Sequence, residues 1–242
     1  VFIQGESGVG KEAIAWRIHR DSQRSGDFVA MNVATLRPQL ASSQLFGHIK
    51  GAFTGAQKAH RGVFVQAHQG TLFLDEIADL DMRVQAELLR VLEQNAVRPL
   101  GSEIEIQVNT RIIAASHKDL ASCVREGTFR EDLLYRLWVV PLEVPPLRER
   151  LEDIRTLTQH HLKNEKPPMA ISDEGLRLLE RQPWNGNVRE LLNLLRRACV
   201  LNDTPILKSV HLQPAPLSLE RESLEEMIQS IVSRAYELEG NN

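Results

Sequence analysis

The sequence predicts an α/β fold, a parallel sheet flanked by helices, followed by a small C-terminal helical domain. Three observations predict it. Nearly continuous apolar runs, such as Gly70–Asp75 (GTLFLD) and Arg111–Ser116 (RIIAAS), read as strands buried on both faces. Helical periodicity lies between these runs, most clearly over Val84–Gln94, where Val84, Leu88, Val91 and Leu92 form one stripe. After Pro145-Pro146 the strand runs stop, and the chain from Leu147 onward reads as helices only.

Taken in order, Val1–Gln4 is a short buried strand, followed by a glycine loop and a helix from about Lys11 to Arg20. Phe28–Asn32, Gly70–Asp75, Arg111–Ser116 and Trp138–Val144 are the second to fifth strands. Pro167-Pro168 breaks the helical part, Ser172 is placed to cap a helix over Asp173–Arg181, and another helix runs over Asn187–Leu201. A boundary between Asn164 and Met169 gives an α/β domain over residues 1–165 and a helical domain over 166–212. Residues 213–222, opening with Gln213–Leu217 (QPAPL), read as a linker by composition. Ser223–Glu226 is a capping box, and Leu224, Met227, Ile228, Ile231, Val232, Ala235 and Leu238 follow at helical spacing. Residues 223–242 are therefore either a helix docked on the body or the first helix of a further module.

A length of 242 residues accommodates one large domain, or a medium and a small one. Hydrophobic content of 42% and charged content of 25% are those of a globular chain. No stretch approaches the ~20 apolar residues of a membrane span. The abrupt opening, apolar strand straight into glycine loop, leads us to expect no leader peptide and a further segment ahead of Val1. Two cysteines, Cys123 and Cys199, without CxxC or Cys/His spacing, argue against a disulfide framework or zinc site and for a reducing cytoplasm. A net charge of −3 argues against a surface whose main task is gripping nucleic acid.

Gly5-Glu6-Ser7-Gly8-Val9-Gly10-Lys11 fits G-x-x-x-x-G-K between a strand and a helix. Such glycines let backbone N–H groups and a helix N-terminus point at phosphate, and Lys11 adds a point charge for the terminal oxygens. The next residue, Glu12, stands where a Mg²⁺-binding hydroxyl is usual. Taken by themselves, these residues also suit a glycine-rich turn with a chance lysine. The third strand ends in Asp75-Glu76, which suits Asp75 to hold Mg²⁺ and Glu76 to orient and polarise an attacking water. The structural alternative is a pair of solvated strand-end charges or a cap for the next segment. Both motifs in order, each on the expected element, point to an ATP-hydrolysing P-loop enzyme.

Gly51-Ala52-Phe53-Thr54-Gly55-Ala56 is a hexapeptide of small residues around one aromatic. One reading is a hairpin tip with Phe53 tucked inward. The flanking glycines favour a mobile loop that offers Phe53 outward to a protein partner. With this hexapeptide the chain resembles the AAA+ domain of bacterial sigma-54-dependent transcription activators, over essentially its whole length. The same family writes its phosphate loop GESGxGKE, so Glu12 is expected, and GTLFLDEI (Gly70–Ile77) matches its Walker B stretch.

The resemblance implies further roles residue by residue. Gly127–Leu137 (GTFREDLLYRL) matches a segment whose arginines, here Arg130 and Arg136, are offered to a neighbouring subunit's nucleotide. The alternative for Arg130 is a helix-face ion pair with Glu131 or Asp132. Gly186–Leu191 (GNVREL) makes Arg189 the sensor II arginine, although Asn185 stands where members usually carry proline; spacing alone favours a solvent-exposed arginine. Asn32 aligns with an asparagine that holds the Walker B glutamate, and Ser116-His117 occupies the sensor I position, where Ser116 keeps a hydroxyl. The implied activity is Mg²⁺-dependent ATP hydrolysis in a ring, by resemblance a hexamer, that drives Gly51–Ala56 against sigma-54 in the closed polymerase–promoter complex. The last helix resembles the start of a Fis-type helix-turn-helix, so DNA would be bound through a segment beyond Asn242. Rival readings are a different AAA+ machine, which has no reason to carry GAFTGA, and a nucleotide-gated binding module without hydrolysis.

Overall fold

The computed structural model describes residues 1–202 and 204–212. The expected linker over 213–222 and the helix of residues 223–242 lie outside the described residues.

The chain divides into two compact units, Val1–Pro145 and Pro146–Asn242. In chain order the first holds β1 (Phe2–Gln4), α1 (Lys11–Asp21), β2 (Phe28–Asn32), α2 (Pro38–Phe46), α3 (Val63–Gln66) and β3 (Thr71–Asp75). It continues with α4 (Met82–Gln94), β4 (Ala96–Val97), β5 (Ile106–Gln107), β6 (Arg111–Ser116), α5 (Leu120–Arg125), α6 (Glu131–Leu137) and β7 (Pro141–Glu143). Five strands form one parallel sheet of order β2-β3-β6-β1-β7, and β4 pairs with β5 as an antiparallel hairpin.

Strand alternation explains why the apolar runs are continuous. Phe2, Leu72, Leu74 and Ala114 face a core that also holds Val84, Leu88 and Val91 of α4 and Leu133 and Leu137 of α6. Their neighbours Ile3, Phe73, Ile113 and Ala115 face a second core with Val9 and Ala15. Side chains one residue apart thus bury on opposite faces, as a doubly covered parallel sheet requires. The fifth strand starts later than Trp138: that residue ends α6, and its ring stacks on Phe2 at 4.8 Å, leaving Pro141–Glu143 to pair with β1.

The second unit contains α7 (Glu152–Lys163), β8 (Ala170–Ile171), α8 (Asp173–Glu180), α9 (Asn187–Leu201) and β9 (Ile206–Leu207). Ser172 caps α8 as expected, its Oγ accepting from the Gly175 N–H at 3.1 Å. Two expectations need correction here. The unit is not all helix, because β8 and β9 form a short parallel pair. The boundary lies near Pro145/Pro146 rather than near residue 165: Ile154 and Leu162 of α7 are buried with Leu191, Leu195 and Ala198 of α9. The pattern change at Pro145-Pro146 was the boundary.

Candidate active site

The site forms at the C-terminal ends of β1, β3 and β6. Gly5 begins the loop after β1 because a Cβ there would stand 2.8 Å from the Val144 carbonyl oxygen. Gly8 and Gly10 take positive φ of 79° and 102°, which turn the chain into α1. Val9 between them is buried and pins the loop to the sheet, while Glu6, Ser7 and Gly8 remain at least partly accessible. Lys11 is 6% exposed; its Nζ donates to the carbonyls of Gly5 at 2.9 Å and Glu6 at 3.2 Å and lies 3.8 Å from Glu76 Oε1.

Asp75 ends β3 in register with Asn32 of β2. Its carboxyl is raised above the usual carboxylate range, first by burial and then by the negative charge of Glu76, with Glu12 adding to the effect and Lys11 opposing it. A half-buried carboxylate under that pressure suits a divalent cation, and Mg²⁺ is held through one or two carboxylates together with phosphate oxygens and water. A raised folded pKa means ionised Asp75 destabilises the fold at neutral pH, and the penalty fades as pH falls through that raised value. Asp75→Asn is therefore expected to melt higher than wild type at pH 7 without nucleotide or metal. That advantage should shrink on acidification, as thermal melts across the carboxylate range would show.

Glu76 sits in the left-handed region at φ 55°, with its N–H donating to Asp75 Oδ1 at 3.1 Å. Its Oε2 lies 2.6 Å from His117 Nδ1 and accepts the His117 N–H at 3.3 Å. Two expected placements differ here. The Asn32 side chain is engaged locally: its Oδ1 accepts the Ala34 N–H at 3.0 Å and caps the turn over Val33–Thr35. Ser116 is fully buried, and its Oγ bonds the Lys118 N–H at 2.9 Å and carbonyl at 3.2 Å, so the accessible residue at this strand end is His117. His117 shares the sensor I position with Ser116 in the sequence, and it is His117 that reaches Glu76.

The arginines of the Gly127–Leu137 segment lie at the start of one short helix and within it. Arg130 flanks the start of α6 and forms a two-point pair with Asp132, at 3.0 and 2.6 Å. This fork, together with its other donors, holds the Asp132 carboxyl below the usual range. Arg136 donates to the Leu92 carbonyl at 2.8 Å. Gln85, fully buried on α4, was also missed: it donates to the Leu80 and Thr128 carbonyls at 2.7 and 3.0 Å and accepts the Arg130 N–H at 2.8 Å. It fixes the backbone from which Arg130 projects. In the second unit Arg189 is exposed on the first turn of α9, while Asn187 binds the Leu147 N–H at 2.8 Å and Glu190 the Gly186 N–H at 2.8 Å.

The hexapeptide loop is a closed turn. Gly51 N–H donates to the Ala56 carbonyl at 2.9 Å, and Gly51 and Gly55 take φ of 83° and 101°. The glycines therefore serve the backbone path, and a Cβ at either would meet no neighbour. Phe53 is 37% exposed, with its ring edge-on to His48 at 5.0 Å, so it is neither tucked in nor fully presented. Ala52 is half-buried, Gly51, Thr54 and Gly55 are exposed, and Ala56 is buried. Ala56 thus closes the base of the loop instead of offering a contact.

A glycine loop after β1, paired acids after β3 and a separate helical unit define an AAA+ P-loop domain with its lid. Residues 1–143 match the family described as the sigma-54 interaction domain, and residues 148–227 match the AAA+ ATPase lid domain. The chain belongs to the sigma-54 interaction domain family. It is similar to the regulatory protein AtoC of Escherichia coli, 48% identical over 220 residues, covering 88% of this chain and 48% of AtoC. It is also similar to the DNA-binding transcriptional regulator NtrC of Rhizobium meliloti, 50% identical over 206 residues, covering 83% of this chain and 43% of NtrC. The chain thus spans less than half the length of these relatives. Among solved structures, NtrX of Brucella abortus in complex with ADP superposes with a TM-score of 0.79 at 33% identity, covering 96% of this chain and 55% of NtrX.

Proposed function

We propose that this chain is the ATP-hydrolysing, polymerase-remodelling part of a sigma-54-dependent transcription activator. The observation that carries the reading is the approach of Glu76 Oε1 to within 3.8 Å of Lys11 Nζ, which sets a water-activating carboxylate at the edge of the phosphate cradle. NtrX structures in complex with ADP and with ATP support the nucleotide, and the family match supports sigma-54 as the partner.

Gly5–Lys11 cradle the phosphates, with Glu12 at the helix start. Asp75 holds Mg²⁺, which when bound neutralises charge on the phosphate oxygens. Glu76 orients a water and takes its proton as the water oxygen bonds to the γ-phosphorus. The bond from that phosphorus to the β–γ bridging oxygen breaks, and ADP and phosphate leave. Arg130 and Arg136 come from a second copy of the chain in a ring, by family a hexamer, and their planar guanidiniums stabilise charge on the transferring phosphoryl group. Nucleotide state reaches Gly51–Gly55 through Asn32, which ends β2 beside Asp75 and caps the turn that leads into α2 and the loop. DNA is bound by a part of the protein outside this chain. The setting is the cytoplasm; among the described residues no helix is long and apolar enough to cross a membrane.

Capture of purified sigma-54 by this chain with ADP and aluminium fluoride, a mimic of the transferring phosphoryl group, tests the reading. Wild type should retain sigma-54, and Thr54→Ala should lose at least 10-fold, about 1.4 kcal/mol at a contact held only in that state. Equal capture by both, or none by wild type, contradicts it.

A further inference from the structure

We propose that the Gly51–Ala56 loop stands in a collar of free cations, and that the segment it takes is acidic with one bulky apolar side chain. The inference rests on the sigma-54 reading above and names the chemistry of the face that sigma-54 would offer. The sequence carries the first observation. From Phe28 to Leu74 there is no aspartate or glutamate, although acids make up 32 of the 242 residues, roughly one in eight. The same stretch holds Arg37, Lys50, Lys58 and Arg61, so it is cationic within a chain of net charge −3. A merely solvated surface intersperses both signs, whereas a field of one sign draws in a partner of the other.

The fold gathers three of these cations around the loop. The bond from the Gly51 N–H to the Ala56 carbonyl, at 2.9 Å, closes the turn, so Lys50 precedes its base and Lys58 follows it two residues on. His48 fixes the backbone of Lys58: its Nε2 lies 2.9 Å from the Lys58 carbonyl and its Nδ1 lies 2.8 Å from Ser43 Oγ. A carbonyl only accepts, so the ring proton is on Nε2 and Ser43 donates to Nδ1. His48 and His60 exchange backbone bonds at 3.0 and 2.9 Å, which returns Arg61 to the foot of the loop. Lys50, Lys58 and Arg61 are exposed, and among the described residues none of them makes an ion pair. The connection from β4 to β5 touches the loop where the Leu100 carbonyl accepts the Ile49 N–H at 3.1 Å. Of its two acids Glu105 is taken by Arg90 at 3.2 Å, which sets one acid, Glu103, against three cations. Beside the loop an open cavity of about 520 Å³ is lined by Leu40, His48, Phe53, Lys58 and His60 among others. Its walls are part apolar and part cationic, which fits a bulky apolar side chain flanked by carboxylates. A nucleic acid fits less well, because a protein on a duplex commonly makes about 6–10 phosphate contacts and the collar offers three cations.

Capture of purified sigma-54 with ADP and aluminium fluoride, measured across ionic strength, tests the charge. Wild type should bind roughly 10-fold more weakly as salt rises from about 0.05 M toward 1 M, where the screening length shrinks to ~3 Å. Lys50→Glu combined with Lys58→Glu should lose at least about 10-fold at low salt and lose the salt dependence, because carboxylate would then face carboxylate. Lys50→Gln combined with Lys58→Gln should fall between the two. Thermal melts matching wild type separate lost contacts from lost folding. Where the reversed pair melts lower, the glutamine pair, which removes charge and adds none, decides. Equal capture by wild type and both variants, or a wild type indifferent to salt, would overturn the proposal and leave the sigma-54 reading standing. If wild type captures no sigma-54 at any salt, that reading fails, and two labelled probes decide the charge: a glutamate-rich peptide with a central tryptophan, and a DNA duplex. Wild type should bind the peptide more tightly than the duplex, and the reversed pair should lose the peptide. A preference for the duplex, or no binding of the peptide, would overturn the proposal.

Discussion

Glu76→Gln is expected to bind ATP about as well as wild type and to hydrolyse it at least 100-fold more slowly. The amide keeps the shape of the side chain but cannot take a proton, and general-base catalysis contributes about 10²- to 10⁴-fold. Binding should survive because the cradle is built from other groups: the Gly5 and Glu6 carbonyls already hold Lys11 in place. Folding should survive as well, since the charge of Glu76 is one of the causes that raise the Asp75 carboxyl, and removing it relieves that pressure. Steady-state hydrolysis with a separate nucleotide-binding titration checks this. A fall in kcat with unchanged Kd is the expected pattern, whereas wild-type turnover in the variant removes Glu76 from the chemistry.

Arg130→Ala is expected to have a still larger effect on turnover. An arginine supplied in trans to a transferring phosphoryl group is worth about 10³- to 10⁵-fold. The contacts of Arg130 in the single chain suit this use. Its fork is occupied by Asp132 of the same helix, in an exposed pair that water and salt weaken, so a phosphate is an easy exchange partner. The backbone behind it is rigid, tied to the buried Gln85 at 2.8 Å. Arg130→Lys should restore little, because an ammonium lacks the planar two-point fork. ATP affinity measured at low protein concentration should be unchanged, since the arginine acts on another copy's nucleotide. A variant that loses affinity and rate together within one chain contradicts the role in trans.

Those parts of the fold that bury side chains on both sides were legible in the sequence. Thr71–Asp75 and Arg111–Ser116 feed adjacent residues into opposite cores, so their apolar runs are long and unbroken. The pairs Ala96–Val97 with Ile106–Gln107 and Ala170–Ile171 with Ile206–Leu207 are two residues per strand, too short to show a period. The phosphate loop and acid pair were legible because each is contiguous and sits on its expected element. The His117–Glu76 contact was not, since it depends on which strand lies between which, information that chain order does not carry. Asn32 shows the same limit from the other side: its alignment puts it on Glu76, whereas it stands in strand register with Asp75 and its Oδ1 accepts a local backbone N–H. Gln85 gives no sequence signal, because burial of a fully satisfied amide leaves no mark on hydrophobic periodicity.

In the proposed ring one catalytic centre is completed by two copies of this chain, and mixing two inactive variants tests that pairing. Glu76→Gln retains the arginine but lacks the base; Arg130→Ala retains the base but lacks the arginine. Each alone should hydrolyse almost no ATP at any concentration. Mixed, they should recover activity that rises with total protein, because some junctions pair an intact Glu76 with an intact Arg130. A mixture no more active than the sum of its parts, measured where both variants assemble, would contradict the account.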